Sequence, residues 1–164
     1  MLDNYQPLFS EILEKVSKLK TKKEKVAHLQ RYNSDALRMI IKASFDPKIE
    51  WLLPEGSVPF MVNDAPEGTE HTMLISEARK LFHFIKGGNP TLHQNKRESM
   101  FVQMLEGLQE NEAQLLVAAK DKKLHQKYKG LSKNVVMEAF NWDDNFMVVE
   151  HEMYHATPGS ASGV

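Results

Sequence analysis

Two stretches of helical periodicity are separated by a segment that no helix can cross. Pro47, Pro54, Pro59 and Pro66 follow one another at intervals of seven, five and seven residues. Each proline removes a backbone donor and pushes the residue before it out of the helical region. Yet Trp51, Leu52, Leu53, Val58, Phe60 and Met61 make the segment too apolar for a free linker. An ordered, irregular, proline-rich insertion over residues 46–72 is expected, because structureless connections of this length are uncommon inside a compact domain. Its Trp51 and Phe60 either plug a core or stand out as rigid anchors. The second reading makes Trp51, Leu52, Leu53, Phe60 and Met61 a partner-binding surface, since pre-stiffened aromatic side chains lose little entropy on binding.

On either side the apolar residues recur at three and four. Leu8, Phe9, Ile12, Leu13, Val16 and Leu19 predict an amphipathic helix over residues 5 to 20. Thr21 and Glu24 then form the pattern of a capping box for a helix burying Val26 and Leu29. Asn33 and Ser34 are both good N-caps for a third helix with Leu37, Ile40, Ile41 and Phe45 on its apolar face, ended by Asp46-Pro47. Beyond the insertion, Leu74, Ala78, Leu81, Phe82 and Ile85 predict a helix closed by Gly87-Gly88. Met100, Phe101, Met104, Leu105 and Leu108 mark the next, and Ala113, Leu115, Leu116 and Ala119 another. A last pair joined by Lys129-Gly130-Leu131-Ser132 buries Val135, Val136, Ala139 and Phe140. The expected fold class is therefore all-α: a single compact multi-helix domain of six to eight helices over residues 1–155. Residues 156–164, small, polar and interrupted by Pro158, are expected to be a disordered tail.

With 164 residues and 41% apolar content the chain can bury a core without staples. The absence of cysteine excludes disulfide and thiolate chemistry. No apolar run reaches membrane-spanning length and no signal-peptide pattern opens the chain, so a soluble, cytoplasmic protein is expected. The net charge of −1 conceals segregation. Lys15 to Arg31 holds seven bases against Glu24, and Lys120 to Lys133 holds six lysines against Asp121. Asp46 to Glu70 holds six acids against Lys48, and the chain after Lys133 holds five acids and no base. Such blocks read as solvated helix faces or as an anion-binding surface, with Lys18, Lys20, Lys22, Lys23, Lys122, Lys123, Lys127 and Lys129 as its candidates.

One motif names a chemistry. His151-Glu152-Met153-Tyr154-His155 has the HExxH spacing, which on a helix would aim His151 and His155 at one Zn²⁺ and place Glu152 as general base. A catalytic zinc needs a third ligand, and residues 156 to 164 contain no His, Asp, Glu or Cys. It would have to come from Asp143, Asp144, His71, His83, His93 or His125. A cofactor-free protein is the first expectation and a zinc hydrolase the alternative. The Gly130-Leu131-Ser132 joint with Val136 also has the turn spacing of a helix-turn-helix unit. Gln126 and Lys129 occupy places where that unit wants a small and an apolar residue. Nucleic-acid binding through the lysine-rich helices is thus expected to be weak and non-specific.

Several phrases carry a resemblance. They are Ala36-Leu37-Arg38 through Ala43-Ser44-Phe45-Asp46-Pro47, Trp51-Leu52-Leu53-Pro54-Glu55-Gly56, Asn63 through Thr72, Glu77-Ala78-Arg79-Lys80-Leu81, His83 through Pro90, and Met104-Leu105-Glu106-Gly107-Leu108. Together they resemble the small, functionally uncharacterised proteins of large T4-like tailed phages, over most of residues 8 to 147. The resemblance implies a viral protein acting in the cytoplasm of an infected bacterial host, in or apart from the virion, and brings no activity or catalytic residue with it. The expected function is a non-enzymatic accessory protein that binds a phage or host macromolecule.

Overall fold

Helix α1, Phe9–Lys18, buries Phe9, Ile12, Leu13 and Val16, the face its spacing predicts. This computed structural model describes residues 6–65 and 71–148. Thr21 caps α2, Lys22–Arg31: its Oγ1 accepts the Glu24 N–H at 3.1 Å, and the Glu24 carboxylate accepts the Thr21 N–H at 3.2 Å. Ser34 caps α3, Asp35–Phe45, by accepting the Leu37 N–H at 3.1 Å, and Asp46, the residue before Pro47, is its extended C-cap.

The proline-rich segment follows as an irregular strap. Trp51 pairs with Ile85 in an isolated antiparallel bridge, in which Leu52 N–H reaches the Phe84 carbonyl at 2.8 Å and Lys86 N–H the Glu50 carbonyl at 2.9 Å. The strap then runs along α5, Gln94–Gly107. Near the start of that helix Gln94 Nε2 donates to the Leu52 carbonyl, and near its end Glu106 accepts the Met61 N–H, each at 2.9 Å. The chain leaves the strap where Thr72 N–H meets the Gly107 carbonyl at 2.7 Å.

Between strap and α5 the structure departs from the expected single α-helix. A short α4, Leu74–Glu77, tightens into a 3₁₀ helix, Ala78–Phe84. Three residues per turn bring Ala78, Leu81 and Phe84 onto one buried face. Phe82, expected inside, is instead exposed, and Ile85 is half-buried. A Cβ on Gly88 would stand 2.1 Å from the Phe82 carbonyl oxygen, so only glycine lets the chain turn so closely past this helix. Arg97, buried on α5, holds the same turn by donating to the carbonyls of His83, Asn89 and Leu92.

The remaining helices are α6, Glu110–Lys120, the single turn α7, Leu124–Lys127, and α8, Lys133–Phe140. Ser132 caps α8 through the Val135 N–H at 3.3 Å, and Gly130 before it takes a φ of +91°. One apolar core gathers residues from every one of these helices, with Phe84 and Phe101 edge to face at 5.1 Å between ring centres. The described residues thus form an all-α single domain of eight α-helices and one 3₁₀ helix, with isolated bridges but no strand. No helix among them is long and apolar enough to cross a membrane.

Candidate functional site

The surface expected on the insertion is only partly available. Trp51 is a correction: it is 9% exposed, belongs to the core, and its indole N–H donates to the Ala43 carbonyl at 2.9 Å. The indole supplies a large apolar body and one donor, and the end of α3 offers both a packing surface and an unpaired carbonyl. Leu52, Leu53 and Phe60 are half-buried, and Leu53 and Phe60 pack on the core. Met61 stands out at 79% exposure, beside Val62 at 46%. The strap is also clasped from below. Buried Lys120 donates to the Pro54 carbonyl at 2.7 Å, the Gly56 carbonyl at 3.1 Å and Asp121 Oδ1 at 2.5 Å, and the Asp121 carboxylate accepts the Gly56 N–H. An ammonium has three donors, and all are used: two on the strap and one on the carboxylate that also holds it.

The lysine clusters, segregated in the sequence, meet acids in space. Lys22 pairs with Glu138 at 3.0 Å, Lys123 with Glu55 at 3.7 Å, Lys133 with Asp144 at 3.8 Å and Lys18 with Glu14 at 4.0 Å. Lys127 lies 5.6 Å from the centre of the Tyr128 ring. Lys122 donates to the Asp46 carbonyl, and burial lowers its pKa while the Asp46 carboxylate partly restores it. Lys20, Lys23 and Lys129 are exposed. Of the eight candidates, Lys18, Lys22 and Lys123 thus meet acids, and each such exposed pair is weak.

The helix-turn-helix spacing does not build a reading head. Its first helix is only the single turn α7, and α8 lies on α2, where Gln30 Nε2 donates to the Ala139 carbonyl at 3.3 Å and Glu138 holds Lys22. The same joint does make a concavity. Gly130, Leu131 and Ser132 carry the chain past the end of α3, and Leu124 N–H reaches Ser44 Oγ at 3.4 Å. A groove of about 520 Å³ opens there, with Phe45, Pro47 and Leu131 as apolar lining and Lys122, His125 and Lys133 around them. Lys122 is placed by a left-handed backbone, φ +59°, and His125 by an aromatic contact with Phe45 at 6.2 Å between ring centres. The helical period places Phe45 on an apolar helix face, and His125 is one of the possible third metal ligands. The Gly130-Leu131-Ser132 turn was the signal that could have found the groove, since it joins two elements over an exposed helix end.

For metal chemistry, His151, Glu152 and His155 lie outside the described residues. Of the upstream ligand candidates, Asp143 accepts the N–H groups of Asn145 and Met147 in a turn, Asp144 faces Lys133, His83 Nδ1 meets Asn89 at 3.0 Å and His71 Nε2 meets the Ala65 carbonyl at 2.9 Å. No group of three His, Cys, Asp or Glu that could hold a metal ion occurs among the described residues. The expected tail, residues 156–164, likewise lies outside them.

No curated protein matches the chain. No solved structure matches it. A family model described as a family of unknown function (DUF6433) matches residues 12–126, a span from α1 through the strap and α5 into α7. That span is more than half of the chain, and the protein belongs to the DUF6433 family.

Proposed function

We propose that the protein is a non-enzymatic accessory protein that binds a macromolecule of phage or host origin in an infected bacterial cell, and that contact is made at the groove between α3, α7 and α8. The groove is the observation that carries this reading. Phe45 and Pro47 offer apolar surface inside it over the buried Leu131, and Lys122, His125 and Lys133 supply a few placed polar groups. Concave apolar surface with a small number of orienting polar groups is the usual form of a binding site. The viral setting rests on the phrases between residues 8 and 147 that resemble phage proteins. Affinity purification from infected cells, with mass spectrometry and nuclease digestion, tests the proposal. A partner recovered with the full chain and lost with His125→Glu plus Lys133→Glu supports it; a partner retained by that variant overturns it.

A second reading, contact with nucleic acid, is favoured by Lys18, Lys20, Lys22 and Lys23, all exposed at the corner of α1 and α2. Lysines alone contribute counterion release without base readout, so such binding is indifferent to sequence and falls steeply with salt. A preference for one duplex sequence at physiological salt would contradict it.

A further inference from the structure

Apart from the groove, we propose that a small polar pocket between α1, α6 and α7 binds a neutral polyhydroxylated ligand, a single hexose-sized sugar ring. The pocket has a volume of about 270 Å³ and lies where α1 meets the first turn of α6 and the end of α7. Ser10, Glu14 and Lys18 stand four apart on α1 and so share a face. Asn111 faces them from the first turn of α6, and Lys127 and Tyr128 from the end of α7. The buried Glu112 carboxylate fixes the first two elements together by accepting the Phe9 N–H at 2.9 Å.

Two hydroxyls carry the assignment. Ser10 is 6% exposed and Tyr128 3%, yet neither hydroxyl has a hydrogen-bond partner among the described residues. Buried polar groups are nearly always paired, and a buried tyrosine hydroxyl usually finds an acceptor. Among the described residues, the side-chain polar atom that is both sealed from solvent and unpaired is Nδ1 of His71, so the Ser10 and Tyr128 oxygens keep their access to the pocket that both residues line. Burial raises the Tyr128 phenol above its ordinary value, and Glu14 and Glu112 push it the same way. Tyr128 therefore keeps its proton, and both hydroxyls can donate as well as accept.

The charges around them select a neutral ligand. Glu14 lies 4.0 Å from Lys18, Glu11 accepts the Leu8 N–H at 2.7 Å, and Lys127 sits 5.6 Å from the centre of the Tyr128 ring. Two carboxylates and two ammoniums balance in the lining, so no net field draws in an anion or a cation. A phosphate would meet the carboxylates and a metal ion the ammoniums, and no group of three His, Cys, Asp or Glu that could hold a metal occurs among the described residues. Carboxylates only accept, ammoniums only donate, and hydroxyls and the Asn111 amide do both. A sugar ring, each hydroxyl of which donates and accepts, matches that mixture as it stands. A zwitterionic amino acid would instead compete with Lys18 for Glu14.

The test is a titration of the isotope-labelled full chain with D-glucose, D-galactose and myo-inositol, and with maltotriose as the glycan form. Inorganic phosphate, spermidine and serine are the charged controls. Saturable amide shifts from a neutral ligand should concentrate at Glu14, Asn111 and Tyr128. Tyr128→Phe and Ser10→Ala each remove one hydroxyl, so each should weaken that binding about tenfold. Neither should lower the melting temperature, because no hydrogen bond within the protein is lost. Tighter binding of maltotriose than of glucose identifies the ligand as a sugar of a larger glycan, and the reverse order as a free sugar. The proposal is overturned if no neutral ligand gives saturable shifts at these amides, or if phosphate, spermidine or serine binds there as tightly. A lower melting temperature in Tyr128→Phe would also overturn it, since the hydroxyl would then be tied inside the protein. The groove reading stands or falls separately, since His125→Glu plus Lys133→Glu changes no residue of this pocket.

Discussion

Glu112 and Phe9 are 103 positions apart in the chain, and the buried carboxylate of the one accepts the backbone N–H of the other at 2.9 Å. Its second oxygen accepts the Leu74 N–H at the same distance. One side chain on α6 thus satisfies the opening turns of both α1 and α4, where backbone donors have no partner inside the helix. Burial raises the Glu112 carboxyl above its ordinary value of 4.5, with the Leu74 and Phe9 donors opposing the shift. The native state therefore holds this proton more tightly than the unfolded chain. The group's contribution to stability is full below about pH 4.5 and declines as pH rises through the raised native value. Denaturant unfolding at a series of pH values should show that decline, and Glu112→Gln should abolish it while costing about 1–3 kcal/mol at neutral pH, because an amide cannot accept both donors. An unchanged pH slope in the variant would contradict the assignment.

Trp51→Ala should cost about 3–5 kcal/mol of stability, a fall in Tm of roughly 6–20 °C, because it empties a core position and leaves the Ala43 carbonyl without its donor. Met61→Ala on the same strap should change stability by less than about 0.5 kcal/mol. Thermal melts of the two variants separate the strap's packed face from its exposed one.

The 3₁₀ winding makes neighbouring phenylalanines unequal. Phe84→Ala should cost about 3–5 kcal/mol and Phe82→Ala less than about 1 kcal/mol, since the first is fully buried and the second 48% exposed. An ordinary α-helical register would place the two at similar angles either side of the Leu74, Ala78 and Leu81 face and bring their costs together.

Lys120→Met removes all three donors that hold Pro54, Gly56 and Asp121, leaving acceptors under the strap unpaired. A loss of about 2–4 kcal/mol is expected, within the range for breaking a buried charged network. Hydrogen exchange at the Gly56 amide should speed up more than at amides within α1.

For the HExxH stretch, purified protein should carry less than stoichiometric zinc, and chelator should leave its melting temperature unchanged, because residues 156 to 164 contain no His, Asp, Glu or Cys to complete the site. One tightly held zinc per chain, lost in His151→Ala, would establish the alternative.

Local information in the sequence determined most of the secondary structure. Thr21 with Glu24, Ser34 and Ser132 announce their helices because a cap is satisfied by residues three apart. The apolar faces of α1, α3 and α8 are likewise legible, because helical period alone decides which side chains share a face. Pro47 and Pro54 exclude a helix through the strap for equally local reasons. What tertiary structure decided are the choices between local solutions of similar free energy. Whether Trp51 faces inward depends on a carbonyl at the end of α3 and on the strand-like contact with Ile85. At Ala78–Phe84 it is Arg97, thirteen residues beyond the end of the 3₁₀ helix, that gathers the His83 carbonyl inside it and the Asn89 and Leu92 carbonyls of the turn after it. The capping role of Glu112 and the groove at Phe45, His125 and Leu131 join residues from distant segments, so no window of the sequence contains them. The charge blocks show the same limit: they are segregated along the chain, yet folding sets Lys22 against Glu138 and Lys123 against Glu55, because pairing follows distance in space and not order in the sequence.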